Sequence, residues 1–146
     1  MNFNSRPVVG AVEFHTQLLS FFEAYLLLSD QLRKAVEEKR SEFVIRFIEL
    51  RQETIGRLES FREEYELSMQ PAVTDVEFQT VESLKMKIGE IIERCLDIEN
   101  GLNEQMKDLR ESLGDSASQL GRSQRGIRGY AINGGPRKAR FIDKDG

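Results

Sequence analysis

Tryptophan is absent from this chain, and cysteine and histidine occur once each. A single cysteine excludes an internal disulfide, and one His with one Cys cannot supply a zinc-ligand set. Proline is scarce, with Pro7, Pro71 and Pro136 alone, so the long stretches between them are free to run as helix. No apolar run is long enough to cross a bilayer; the greasiest stretch, Phe21 to Leu28, is interrupted by Glu23. The opening residues MNFNSRPVVGAVEF lack a basic segment followed by an apolar one, so no secretory signal is expected. These absences predict a cytoplasmic protein with no membrane insertion, no metal and no cofactor.

Signs of catalysis are equally sparse. His15 has no nucleophile or orienting acid near it in sequence, and it reads as a surface or helix-start histidine rather than a general base. The carboxylate pairs Glu37–Glu38 and Glu63–Glu64 lie among alternating charges, where a solvated helix face is expected. The glycines between 114 and 135 match no phosphate-binding pattern, because no strand precedes them and no Gly-Lys-Ser/Thr closes them. The chain is expected not to be an enzyme.

What is abundant is helical periodicity. Val81, Leu84, Ile88, Ile91, Cys95, Ile98, Leu102, Met106, Leu109 and Leu113 follow one another at steps of three and four, which places them on one helix face. Thr74 and Glu77 match a capping box at the start of this run, just after the SMQPAV break at Pro71. The spacing predicts a helix over about 75–113, about 60 Å long. Upstream, Phe14, Leu18, Phe21, Tyr25, Leu28, Leu32 and Ala35 give a stripe for a helix over about 11–38, widened by Phe22, Leu26 and Val36. Phe43, Phe47, Leu50, Leu58, Phe61 and Tyr65, with Val44, Ile48 and Ile55 beside them, give a second over about 41–69. The charge cluster Glu37 to Glu42 separates the two, with Ser41 as an N-cap candidate. A single continuous helix over 11–69 is the other possibility. Cys95, on the stripe, is expected to be a core thiol.

Charge divides the chain. Met1 to Leu113 holds 14 Lys/Arg against 22 Asp/Glu, a net of −8; residues 114–146 hold 7 against 3, a net of +4, with 7 of the 11 glycines. The expected fold is all-α: residues 1–10 as a loose leader, 11–113 as an elongated antiparallel three-helix bundle or coiled coil, and 114–146 as a Gly-rich basic tail or short C-terminal helix. Leu120 and Ile127 could line such a helix, and Gly121, Gly126 and Gly129 make it dependent on docking. The tail's Arg122, Arg125, Arg128, Arg137, Lys138 and Arg140, with Tyr130 and Phe141, would suit a polyanion, but the acidic body repels one. No nucleic acid is expected; docking on its own acidic helices is, with ordering on a protein partner as the other option.

The segment AYLLLSDQLRKAVEEKRSEFVIRFIELRQETIGRLESF, from Ala24 to Phe61, resembles the first half of flagellar type III export chaperones of the FliT/FlgN class. Leu26-Leu27-Leu28-Ser29, the charged break and Arg51 carry that likeness. In the second half it is carried by Glu99-Asn100 on a long heptad helix, Leu109-Arg110-Glu111, Tyr130 and the closing Phe141 to Lys144. The likeness spans about residues 20–144, and the Gly-rich stretch 114–135 departs from it. It implies a cytoplasmic helical chaperone that binds the C-terminal helical segment of an axial subunit, the filament cap or a hook–filament junction protein. Such a chaperone prevents premature assembly and delivers its client to the export apparatus.

Within that reading, Ile98, Leu102, Met106, Leu109 and Leu113 are expected to extend beyond the other helices and meet the client, with Tyr130, Phe141 and Ile142 contributing from the tail. The tail itself is expected to cover the client groove when it is empty. The chain alone would be a monomer or a weak homodimer. The other reading is a structural coiled-coil module that self-associates through the same stripe and has no export role.

Overall fold

A computed structural model describes residues 8–107 and 122–129 of the chain. Three long helices, α1 (Ala11–Glu37), α2 (Ser41–Tyr65) and α3 (Asp75–Gln105), form an all-α bundle, and residues 122–129 form a short further helix, α4. Among the described residues there are no β-strands. One isolated bridge pairs Gly10 with Gln70, where the Gln70 amide donates to Val9 O at 2.9 Å. Val9 is buried against the core, so residues 8–10 are tied to the α2–α3 connection; the loose leader expected there does not hold for them.

α1 packs against both other long helices. Phe14 stacks on Phe61 and Tyr25 meets Arg51, so α1 and α2 are antiparallel; Phe14 to Phe22 share a cluster with Ile88 and Ile92 while Leu32 and Val36 share one with Leu102 and Met106, which sets α3 alongside α1 in the same direction. The α1–α2 turn resolves the choice between one helix and two. α1 closes in a Schellman arrangement, with the Arg40 amide donating to Ala35 O (2.9 Å) and the Lys39 amide to Val36 O (3.1 Å). Lys39 takes the left-handed conformation that this motif requires, at φ 57°. The N-cap of α2 is Arg40, with no side-chain cap, and Ser41 is the helix's first residue instead. At α3 the capping box forms as expected: Thr74 accepts from the Glu77 amide while Glu77 reaches back to the Thr74 amide.

The buried seam follows strict alternation of four and three. On α1 it runs Ala11, His15, Leu18, Phe22, Tyr25, Ser29, Leu32, Val36; on α2 Val44, Ile48, Arg51, Ile55, Leu58; on α3 Ile88, Ile92, Cys95, Glu99, Leu102, Met106. The predicted stripes share Leu18, Tyr25, Leu32, Leu58, Ile88, Cys95, Leu102 and Met106 with this line and lie one residue to its side at Phe21, Leu28, Phe43, Phe47, Leu50, Ile91 and Ile98. Phe43 is exposed and Phe47 half-buried while Val44 and Ile48 are fully buried; Ile91 and Ile98 flank the seam that Ile92 and Glu99 occupy. His15 is at the helix start but is buried, its Nδ1 donating to Ala11 O at 2.7 Å. Burial lowers its pKa.

Two apolar clusters result. One joins Phe14, Leu18, Phe22, Tyr25, Ile55, Leu58, Ile88, Ile92, Cys95 and Ile127. The other joins Leu32, Ala35, Val36, Val44, Ile48, Leu102 and Met106. Between them in every helix lies a polar residue of the seam.

Candidate partner-binding site

The polar layer is made of Tyr25 and Ser29 from α1, Arg51 from α2 and Glu99 from α3. All four are buried, Arg51 and Glu99 completely. The 3–4 alternation that buries Ile48 and Ile55 leaves position 51 facing inward between them, and the same holds for 99 between Cys95 and Leu102. Arg51 Nη2 donates both to Glu99 Oε1 and to the Tyr25 hydroxyl. The Tyr25 hydroxyl donates to Glu99 Oε1 at 2.6 Å. The guanidinium also lies over the Tyr25 ring, 4.6 Å from its centroid. Ser29 Oγ turns away and donates to Tyr25 O at 2.8 Å.

Arg51 Nε and Nη1 and Glu99 Oε2 are buried with no hydrogen-bond partner among the described residues. The layer is thus paired through one edge and left with further donors and an acceptor. Burial holds the Glu99 carboxyl above its usual range, with Arg51 and the Tyr25 hydroxyl pulling the other way. Burial likewise raises the Tyr25 phenol, so it remains a neutral donor. One turn away, Cys95 is a fully buried core thiol, pushed up to about 12 by burial and then by Glu99. A thiol so raised is unreactive at neutral pH.

α4 sits against this layer. Ile127 is fully buried in the first apolar cluster. Gly126 packs so close to α2 that a Cβ there would lie 3.1 Å from Ile55 Cγ2. The glycine that weakens the isolated helix is therefore what permits its close approach. Ser123 is buried and hydrogen-bonds the Tyr25 hydroxyl. Arg128 Nη2 donates to Asn100 Oδ1 on α3 at 3.0 Å, and its charge favours the ionised form of Glu99. A short basic segment thus spans α2 and α3 beside the buried carboxyl of the seam.

The residues expected to meet a partner are distributed differently. Leu102 and Met106 are buried in the second cluster, against α1 and α2, and Ile98 is half-buried beside it. The expectation that this part of α3 lacks an intrachain partner is therefore corrected. α3 runs alongside α1 with Glu99 level with Tyr25, so the end of α1 and the start of α2 reach Leu102 and Met106. Leu109, Leu113, Tyr130, Phe141 and Ile142 lie outside the described residues.

Sequence reasoning passed over Arg51 and Glu99 as parts of a core, because the stripes were traced through apolar residues only. A strict register through Ile48 and Ile55, or through Cys95 and Leu102, places both on the seam. Among the described residues no cluster of three or more His, Cys, Asp or Glu could hold a metal ion, and no helix is long and apolar enough to cross a membrane. Compared with known proteins, the chain matches no family model, no curated protein and no solved structure.

Proposed function

We propose that this protein is a cytoplasmic flagellar export chaperone, a binding protein rather than an enzyme. Its client is the C-terminal helical segment of an axial subunit, either the filament cap or a hook–filament junction protein. It keeps that segment from assembling early and passes it to the export apparatus. The observation that supports this reading is the seating of α4: the bundle holds a short helix that is too glycine-rich to persist alone, by an apolar anchor, Ile127, a buried hydrogen bond between Ser123 and Tyr25, and an edge contact from Arg128 to Asn100. Masking a sticky amphipathic helix on an exported subunit calls for the same helix-in-groove chemistry. In this reading α4 covers part of the client seat when no client is present.

The test is calorimetric titration of the full chain with the C-terminal segments of the cap and junction proteins. A one-to-one complex with one of them supports the proposal. No binding to any of them by a folded chain overturns it, and concentration-dependent assembly of the chain alone would favour a self-associating coiled-coil module. Gly126→Val, which forces α4 off Ile55, should tighten client binding, as should removal of residues 114–146 at low salt; unchanged or weaker affinity in both would remove the covering role from α4.

A further inference from the structure

A second groove lies between α1 and α3. At about 100° per residue, Ile91 and Ile98 leave the seam of α3 on one flank and Asn100 on the other, so this groove is on the opposite side of α3 from α4. It is a cavity of about 370 Å³ with a floor of Leu26, Ile91 and Ile98, each half-buried. Leu27 stands at its edge, 59% exposed. The α1 wall carries Glu23 and Asp30, and the α3 wall carries Arg94. Asp30 is engaged by Arg33 at 2.5 Å and Lys34 at 3.5 Å. Glu23 and Arg94 are exposed and make no ion pair among the described residues, and they set opposite charges on the two walls.

We propose that this α1–α3 groove is a docking site for one amphipathic helix of a partner protein, with a basic side chain on the flank facing Glu23 and an acidic one on the flank facing Arg94. The apolar floor is two helical turns long, which accepts a stripe at i, i+3/i+4 and i+7. The opposed walls then favour a helix with one basic and one acidic flank over a neutral one. The chain's own α4 shows the same mode of contact on the other side of α3, an isoleucine anchor with an arginine at the edge. The proposal rests on the binding-protein reading above and adds to it a second, separate seat.

The experiment uses the full chain and two synthetic helical peptides with the same leucine stripe, one flanked by Lys on one side and Glu on the other, the second flanked by Gln on both. Fluorescence anisotropy should show the charged-flank peptide binding about threefold tighter, the contribution of two exposed ion pairs. Glu23→Gln with Arg94→Gln should erase that preference. Leu27→Gln should weaken both peptides at least about tenfold, since one leucine loses its contact. All three changes are at exposed positions, and circular dichroism checks that helicity is retained. Binding of neither peptide, a flank preference that survives the double substitution, or indifference to Leu27→Gln overturns the proposal. So does a dimer of the chain that Leu27→Gln abolishes, because the occupant is then a second copy. An axial segment that binds the chain while neither designed peptide does defeats the groove and leaves the chaperone reading standing. Designed peptides that bind as expected while no axial segment does defeat the chaperone reading and leave the groove.

Discussion

The two halves of the core are closed in different ways. Around Leu32, Val36, Val44, Ile48, Leu102 and Met106, the described residues of the cluster come from the three long helices, and those on the seam are all apolar. Beyond the Tyr25–Arg51–Glu99 layer, the other half includes Ile127 from a fourth segment. The buried charge borders both halves, and α4, which reaches it through Ser123, packs on this one. An all-apolar seam lets three helices close on one another at any register that matches. A buried Arg–Glu pair fixes one register and leaves polar atoms that a neighbouring segment must shelter.

The largest test of that contrast is to remove the charge. Arg51→Met leaves Glu99 buried beside an apolar side chain and should destabilise the fold by about 3–5 kcal/mol, the usual effect of breaking a buried pair from one side. The triple change Arg51→Met, Glu99→Leu and Tyr25→Phe removes the three polar side chains that pair across the long helices, and should recover most of that loss or exceed wild type. Urea denaturation of the single and triple variants decides it. A triple variant no better than the single would mean that the layer's shape matters more than its charge.

Truncating one anchor in each half should separate them further. Leu102→Ala opens a cavity inside the three-helix half and should lower global stability by about 2–5 kcal/mol. Ile127→Ala should act locally, because α4 can detach while the long helices persist. Its signature would be loss of hydrogen-exchange protection over 122–129, with a smaller shift of the global midpoint than Leu102→Ala produces. Equal midpoint shifts would show that α4 is as much a part of the core as α3.

A weaker signal comes from pH. Burial raises the Glu99 carboxyl above its ordinary 4.5, so the folded chain keeps that proton to a higher pH than the unfolded chain. Its contribution to stability is complete below pH 4.5 and is lost as the pH rises through the folded pKa. The stability difference between wild type and Glu99→Gln should therefore fall as the pH is raised from 4.5 toward neutrality. A difference that grows with pH would mean that Arg51 and Tyr25 outweigh burial at this carboxyl.

This contrast explains what could be read in the sequence. The helices were legible because their apolar residues recur at three and four, and because Thr74 to Glu77 and the break before Ser41 mark their ends. The seam was only partly legible. Aromatics such as Phe43 and Phe47 draw attention from a line through Val44 and Ile48, and a trace that admits only apolar residues steps past Arg51 to Leu50 and past Glu99 to Ile98. Buried charge breaks the hydrophobic pattern at the place where it specifies the fold. The seat of α4 was legible in part: the basic tail and Ile127 suggested docking, but nothing in the sequence linked Gly126 to Ile55 or Ser123 to Tyr25, since those pairings depend on how the long helices are arranged.

The smallest expected effect is at the turn that makes the three-helix half possible. Lys39 holds a left-handed conformation at φ 57° to complete the Schellman closure of α1, and a side chain there works against the backbone. Glycine adopts this geometry without the steric penalty, though it loses more conformational freedom on folding. The steric term is the larger at such a position, so Lys39→Gly should stabilise the protein by about 0.5–1 kcal/mol, a rise of about 2–4 °C in Tm. Because the turn adjoins Val36 and Val44, the gain should appear as slower exchange in the Leu32–Met106 half, with no change in the protection of 122–129 relative to the long helices. Increased protection of α4 in this variant would mean that the two halves are coupled through the polar layer, which then acts as a strut between them rather than as a boundary.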